Sequence, residues 1–401
     1  MTTMVRLSRL LRNQKRYLVY FVVIVTAVLL LIILNGGHGL GNNNYKTVFP
    51  NANFQTKRVK KILLWTPFFG SSVIDSYRKC LQQCPAKCEV TEDKSLIRAV
   101  DAVEFHLTDI WTRKWRIGTT ETITFPAYRS PDQVWILQNL EPPPHLFGNI
   151  RILNGKFNWT KWYRTDADIF APYGVPYKLD PQEKQLTQIV PKRNLYREKS
   201  KEATIRVGNC FDPGRRYKLI DALEKHLSVD KYGSCYNNPC GSSKDPSDIE
   251  CLKIMKEYKF YLAFENDNCR DYVTEKYWGS LDRDQVPIVN WKSMNRSLVI
   301  PNSYINLYDF ESIEKAGKYI KKVAYDEALY NSYFDYRQHY VNRVTTCNAC
   351  KVCTALHDGT RLGQVYEDID GWVRDDMCEK VEKLNNFMKN VHGWLFFLFG
   401  L

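Results

Sequence analysis

Short apolar runs, each the length of one buried strand, recur along residues 60–310 with helix-patterned chain between them. KKILLWTPFF (60–69), VDAVEFHLTD (100–109), DQVWILQNLE (132–141) and YRTDADIFAPYG (163–174) form a first group, with the helical pattern SSVIDSYRKCLQQC (71–84) after its first member. TIRVGN (204–209), FYLAF (260–264), QVPIVNW (285–291) and YINLYDF (304–310) form a second. Within it, RRYKLIDALEKHL sets Leu219, Ile220, Leu223 and Leu227 at helical spacing. Strands alternating with helices predict mostly parallel sheets, hence an α/β fold. Residues 180–203 are the most polar long stretch between the groups and carry Pro181 and Pro191, so they read as a connection between domains. The pattern predicts two α/β domains facing a cleft, over 61–185 and 204–345, followed by a Cys-rich segment and tail over 346–401. The tail HGWLFFLFGL, from His392, is too short to span a bilayer; docking on the body and lying at the membrane surface both fit it.

The first sixty residues are of another kind. The chain has a net charge of +13, but no acid precedes Asp75 while ten basic residues do, from Arg6 to Lys61. Removing those ten leaves 47 basic against 44 acidic residues, so the body is close to neutral and a nucleic-acid partner is not expected. Residues 1–17 form a basic tail, and the uncharged apolar run from Leu18 to Leu34 would span about 26 Å as a helix. A basic flank before such a span predicts a single-pass type II signal-anchor, with residues 35–60 as a stem. Cleavage near Asn35-Gly36-Gly37 is the alternative, although the run exceeds the usual h-region.

Twelve cysteines fit a luminal body held by disulfides, of a connectivity that spacing does not reveal. Two triplets, Cys80, Cys84, Cys88 and Cys347, Cys350, Cys353, also admit a zinc reading in which the second triplet adds His357 or Cys378. Asn158 and Asn295 open sequons and are candidate glycosylation sites.

In FYLAFENDNCRDYVTEKYW (260–278) a buried-strand candidate ends at Glu265 and Asn266, and a helix is expected to start near Asp271 to Thr274. Ligands of open α/β sheets sit outside the carboxyl ends of strands, where helix N-termini offer N–H groups to anions. Tyr272, Glu275 and Lys276 stand at i, i+3 and i+4, so one helical face would present all three. A tyrosine for a base or ribose, a glutamate for sugar hydroxyls and a lysine for phosphate suit a nucleotide sugar. Solvated surface and ordinary packing are the plainer reading of the same residues.

This stretch closely resembles the signature FxxxFENxxxxDYVTEKxW of the α1,3/4-fucosyltransferases, glycosyltransferase family 10. LQNLEPPPH (137–145) resembles its "ESPxH" segment, FNWTKWYRTDADIFAPYG (157–174) is similar to its "FNWTxxYRxDSDxxxPYG" block, and CPAKCEVTEDKSLIRAVDAVEFH (84–106) to its "DAVxFH" region. GNCFDPGRRYKLIDAL (208–223) and EALYNSYFDYR (327–337) follow in the family's order. The resemblance covers about residues 62–378.

It implies a GT-B fold of two Rossmann-like domains, and inverting transfer of L-fucose from GDP-β-L-fucose to the 3-hydroxyl of GlcNAc. N-glycan or lactosamine-type acceptors are implied, in a Golgi membrane enzyme with a luminal body. By residue match, Glu141 is the general base, and Arg216 (Arg215 as alternate) and Lys276 face the diphosphate. Asn266, Tyr272 and Glu275 would contact nucleotide, ribose or fucose. His106 and His145 lie near the cleft, His145 on the acceptor side. No cofactor is required, with Mn²⁺ or Mg²⁺ at most stimulating. Asp166 and Asp168 form a DxD like those that bind Mn²⁺ in GT-A enzymes, but a structural role is expected for them. Pro142 and Pro144 depart from the pattern beside Glu141. That departure sustains the alternative of a non-catalytic nucleotide- or glycan-binding member of the fold.

Overall fold

The computed structural model describes residues 58–378, apart from 113–121, 124, 147, 190–192, 211, 213, 241–247, 293, 344–346, 360–362 and 376. The expected basic tail and membrane span, most of the stem, and the hydrophobic tail lie outside the described residues. Among the described residues no helix is long and apolar enough to cross a membrane.

Six parallel strands form the first sheet: β1 (Lys60–Leu64), β2 (Cys88–Thr91), β3 (Ala102–His106), β4 (Val134–Gln138), β5 (Trp159–Trp162) and β6 (Ile169–Phe170). Their order is β2-β1-β3-β4-β5-β6. The chain starts near the middle, steps out to one edge and returns, so strand direction of travel reverses between β1 and β3. β3, β4 and β5 are buried along nearly their whole length, as central strands covered on both faces must be.

After a short strand β7 (Val175–Lys178), the second sheet repeats the plan. β8 (Lys201–Arg206), β9 (Val229–Tyr232), β10 (Tyr258–Leu262), β11 (Val286–Val289) and β12 (Ile305–Asn306) are parallel, in the order β9-β8-β10-β11-β12. Its reversal lies between β8 and β10. The stretch 180–203, expected as a plain connection, contains the helix α2 (Pro181–Ile189) and the first residues of β8.

Helices cover these sheets by ordinary amphipathic logic. α1 (Ile74–Gln82) follows β1, and α3 (Arg216–Leu223) buries Leu219, Ile220 and Leu223. α4 (Ile249–Lys256) starts at Asp248, whose side chain accepts from the backbone N–H groups of Glu250 and Cys251. α5 (Glu275–Asp282) and α6 (Ile313–Tyr325) follow, α6 with Ala316, Ile320, Val323 and Ala324 on its buried face. α7 (Glu327–Ser332) completes the second lobe.

The chain then turns back. β13 (Tyr340–Arg343) pairs antiparallel with β7, and α8 (Asn348–Asp358) returns to the first sheet. There Ala349, Val352 and Leu356 pack with Ile62, Leu64, Ala102 and Trp159. Three disulfides hold α8 in place: Cys80–Cys347, Cys84–Cys350 and Cys88–Cys353. α9 (Ile369–Arg374) covers the opposite face, with Ile369 and Val373 beside Phe105, Phe157 and Trp162. The Cys-rich segment is thus the outer layer of the first lobe.

Candidate functional site

The site lies where the carboxyl ends of the two sheets meet. Beyond β4 the chain reaches Asn139, fully buried, whose Nδ2 donates to the carbonyl of Glu141 (2.9 Å). Tyr173 pins the preceding carbonyl, Leu140, at 2.9 Å. Pro142 is extended and Pro143–His145 form a single tight turn, so the proline run is an ordered bracket. It carries His145 toward the second lobe, with Nε2 2.9 Å from Asp267 Oδ2, Nδ1 3.4 Å from Asn209 Nδ2, and Nδ1 3.9 Å from Glu141 Oε2.

On the facing side, β10 runs out through buried Ala263 and Phe264 to Glu265, which is 0% exposed. Glu265 accepts from the backbone N–H and the hydroxyl of Thr274, both at 2.8 Å. Thr274 is in turn the N-cap of α5. Lys276 Nζ donates to Thr274 Oγ1 (2.9 Å) and Glu275 Oε1 (3.1 Å), and stands 3.3 Å from Glu265 Oε2. Burial works against the Lys276 charge, but Glu275 and Glu265 outweigh it and hold the ammonium well above its ordinary pKa. Partial desolvation by the surrounding site pushes the outward-facing Glu275 up, yet adjacent Lys276 holds its carboxyl below the usual range. Glu265 ends up raised, because burial exceeds the pull of Lys276.

Arg216, the first residue of α3, is buried and braced on three sides. It donates to Asp212 Oδ1 (3.1 Å), Asn266 Oδ1 (2.7 Å) and the Asn209 carbonyl (2.8 Å). Its neighbour Arg215 takes a left-handed backbone, φ +56°, and is exposed. At Gly214 the backbone passes so close that a Cβ would lie 2.5 Å from the Asn266 carbonyl oxygen. The donor-side candidates Arg216 and Asn266 therefore form one unit at the β8/β10 reversal, the usual place for a ligand of such a sheet.

Glu141 feels both lobes. Burial pushes its carboxyl above the usual range, His145 and Lys276 pull it down, and Glu275 and Asp267 push it up again. The net result is a carboxyl raised above its ordinary value, which makes its carboxylate the stronger proton acceptor.

One expectation fails. Tyr272, Glu275 and Lys276 do not share a helical face, because the helix begins only after the Thr274 cap. Asp271, at φ +62°, turns the chain there, its carboxylate accepting from Thr165 N–H (3.0 Å) and Thr165 Oγ1 (2.6 Å). Tyr272 is consequently 2% exposed and packs against Tyr163 and Tyr173 of the first lobe.

Comparison with known proteins bears on this geometry. Residues 57–174 match "Fucosyltransferase, N-terminal", and residues 196–372 match "Glycosyltransferase family 10 (fucosyltransferase) C-term". The α-(1,3)-fucosyltransferase fut-5 of Caenorhabditis elegans is 31% identical over 83% of this chain and 88% of its own length. The chain belongs to glycosyltransferase family 10. The α-(1,3)-fucosyltransferase C of Drosophila melanogaster is 32% identical over 78% of this chain and 77% of its own. A crystal structure of an α1,3-fucosyltransferase with GDP-fucose matches at 17% identity with a TM-score of 0.46, over 80% of this chain and 96% of that one.

Other candidates sort clearly in this family 10 chain. Asp166 is held bidentately by Arg164 (2.8 and 2.7 Å) and by Arg270 (2.6 Å). Asp168 accepts from Thr160 N–H (2.8 Å), Tyr366 (2.8 Å) and Gln364 (2.5 Å). Both acids of the DxD thus serve the scaffold. His106 is buried against Phe68 and Phe69, with Nδ1 2.6 Å from Asp109. Burial lowers its pKa against the pull of Asp109.

Of the two candidate glycosylation sites, Asn158 is buried in the folded chain. Asn158 is 6% exposed; its Oδ1 accepts from Trp135 N–H (2.8 Å) and its Nδ2 donates to the Gln364 carbonyl (2.8 Å). A glycan on that nitrogen would have to displace the sheet cover. Asn295 is exposed at a turn start and remains available. The zinc reading is also overturned: Cys88 and Cys353 lie near His357 but are spent on a disulfide, and Cys378 is bonded to Cys269. Asp267 and Asn209, which meet His145, were not among the sequence candidates; Asp267 could have been suspected as one of the acids crowding the end of β10.

Proposed function

We propose that this chain is an inverting α1,3-fucosyltransferase with the two-lobed GT-B arrangement. It moves L-fucose from GDP-β-L-fucose to the 3-hydroxyl of GlcNAc in glycoprotein glycans, with the second lobe holding the donor and the first the acceptor. The observation that carries this reading is the placement of Glu141. Its carboxyl stands beyond the end of β4 with Oε2 3.9 Å from His145 Nδ1, on a backbone held by Asn139, and burial raises it against the pull of His145 and of Lys276 from the second lobe.

In the displacement, Glu141 takes the proton of the acceptor hydroxyl as its oxygen bonds to the anomeric carbon of fucose. The bond from that carbon to GDP breaks on the opposite face, which turns the β linkage into α. Lys276 and Arg216 meet the charge that develops on the leaving diphosphate. In this reading Glu275 and Asn266 meet fucose and ribose hydroxyls, and Tyr272 forms the wall against the first lobe. Two fixed cations suffice for the diphosphate, so a divalent metal is not required, and Mn²⁺ or Mg²⁺ would only stimulate. The chain is placed in the Golgi membrane as a single-pass type II protein, its body luminal.

The test is transfer from GDP-fucose to a panel of GlcNAc-terminated acceptors by the wild type and Glu141→Gln. The variant should lose about 10²–10⁴-fold in kcat while still binding GDP-fucose. Unchanged transfer would remove Glu141 as the base. GDP binding without turnover by a folded wild type would favour the non-catalytic reading.

A further inference from the structure

The segment between β10 and α5 belongs by sequence to the second lobe, but from Asp267 to Tyr272 it is fastened to the first. Asp267 Oδ2 lies 2.9 Å from His145 Nε2. Cys269 is bonded to Cys378, just beyond α9. Arg270 donates its backbone N–H to the Met377 carbonyl (2.7 Å) and its Nη2 to Asp166 Oδ2 (2.6 Å). The Asp271 carboxylate accepts from the N–H and the hydroxyl of Thr165. Cys269 and Tyr272 are buried in the core of the first lobe, with Phe105, Trp162 and Tyr163, whereas Val273 and Tyr277 are buried in that of the second. The chain thus changes lobes between two adjacent residues, Tyr272 and Val273.

The neck of this loop is closed inside the second lobe, by Arg216 on Asn266 and by Glu265 on Thr274. The body of the loop reaches out from that neck, and a polar loop closed only at its ends keeps many conformations open. The first lobe removes that freedom. Its anchor is firm without the bridge. Tyr366 accepts from the Gly155 N–H (2.8 Å) and donates its own to the Phe157 carbonyl (2.9 Å), Ile369 and Val373 are fully or nearly fully buried, and the Trp372 carbonyl accepts from Arg164. Cys269–Cys378 therefore adds little to the hold on α9. What it fixes is the loop.

We propose that Cys269–Cys378 is a positioning bridge for the donor: through it the segment after α9, on the first lobe, presets the loop that carries Tyr272 and so sets the affinity for the guanosine diphosphate part of GDP-fucose. The proposal rests on the reading of the second lobe as the donor site. A nucleotide that meets a loop already fixed does not have to order it, so the bridge raises affinity and leaves the chemical step alone. Asp166, the first acid of the DxD, acts beside it as a strut for the loop through Arg270.

The test uses the full chain, with GDP calorimetry, transfer kinetics and amide hydrogen exchange. Cys269→Ser with Cys378→Ser should raise the Kd for GDP and the KM for GDP-fucose about tenfold, while kcat and the acceptor KM stay within about twofold. Exchange over residues 266–273 should quicken in the free variant and return to the wild-type level with GDP bound. Thr165→Val keeps the bridge but loses the hydroxyl bond to Asp271, and should raise the Kd about threefold. Cys84→Ser with Cys350→Ser removes a bridge that holds α8, and should leave the Kd within about twofold. An unchanged Kd without Cys269–Cys378, or an equal rise without Cys84–Cys350, overturns the proposal. If the Cys269–Cys378 variant does not fold, wild-type affinity and loop exchange in Thr165→Val overturn it instead. Calorimetry needs no turnover, so the two readings fail separately. Wild-type GDP affinity in the bridge variant removes the bridge's role and leaves fucosyl transfer standing, whereas a folded wild type that binds no GDP removes both.

Discussion

Replacing Lys276 by methionine keeps the length of the side chain and removes one cation from between three acceptors. Nζ touches Thr274 Oγ1 at 2.9 Å and Glu275 Oε1 at 3.1 Å, and lies 3.3 Å from Glu265 Oε2. The Glu275 side chain is 63% exposed and can turn to water, so its lost pairing counts for little. Glu265 has no such escape, its side chain being 0% exposed against 17% for Lys276. At 3.3 Å and an effective dielectric of about 20, the gross attraction is about 5 kcal/mol. Glu265 keeps both bonds from Thr274, and its carboxyl is already raised, so it can take a proton instead of standing as a bare charge. The net loss should therefore be about 2–3 kcal/mol, toward the low end for a broken buried pair. In a body of this size that is about 3–4 °C in Tm. Adding Glu265→Gln removes the stranded acid and should recover most of the Tm. It should not recover affinity for GDP, because the cation that meets the diphosphate is still missing. Thermal unfolding and GDP titration calorimetry on both single variants and the double variant form the cycle. A wild-type Tm for Lys276→Met, or restored GDP binding in the double variant, would refute the reasoning.

Three further outcomes follow from the same geometry. Glu141 works as carboxylate and its pKa is raised, so kcat/KM should fall as pH drops through a midpoint above the ordinary carboxylate range, and this acid limb should be absent in the residual activity of Glu141→Gln. Asn295→Gln should sharpen or shift the mobility of the expressed protein on a gel, whereas the glycan pattern should not change with Asn158→Gln, whose amide is buried. Removing Cys84–Cys350 alone should cost about 2–3 kcal/mol in denaturant unfolding, because the flanking bridges Cys80–Cys347 and Cys88–Cys353 leave only a short loop for it to close; removing all three opens a separation of some 265 residues and should cost far more. Equal losses for one bridge and for three would refute that account.

Much of the fold was legible because buried strands write their burial into consecutive residues. β1, β3, β4, β8, β10, β11 and β12 all fall within or against the expected runs. The misses have a common cause. β2 (CEVT) and β9 (VDKY) lie at sheet edges and are polar enough to read as loop. β5 (WTKW) does not stand out beside YRTDADIFAPYG, which holds only the two-residue β6, because Lys161 interrupts the apolar pattern of a fully buried strand. At the site, the residue types around 265–276 pointed to a nucleotide sugar. The phase of α5 did not follow from spacing, since it depends on Thr274 being held by Glu265 and on the left-handed turn at Asp271.

Local chemistry is what a sequence states by itself: which runs are strands, which segments are helices, that the fold is α/β in two halves, and which short motifs belong to family 10. Those properties come from residues a few positions apart, and neighbours along the chain suffice to set them. The tertiary structure decided which distant segments share a surface. It paired two cysteine triplets separated by some 265 residues, and it wrapped the last described helices around the first lobe. It also buried one sequon while leaving the other exposed. Above all it set Glu141, more than a hundred residues before Lys276, within reach of that charge. No spacing rule encodes that meeting, because it follows from how two packed sheets present their carboxyl ends to each other.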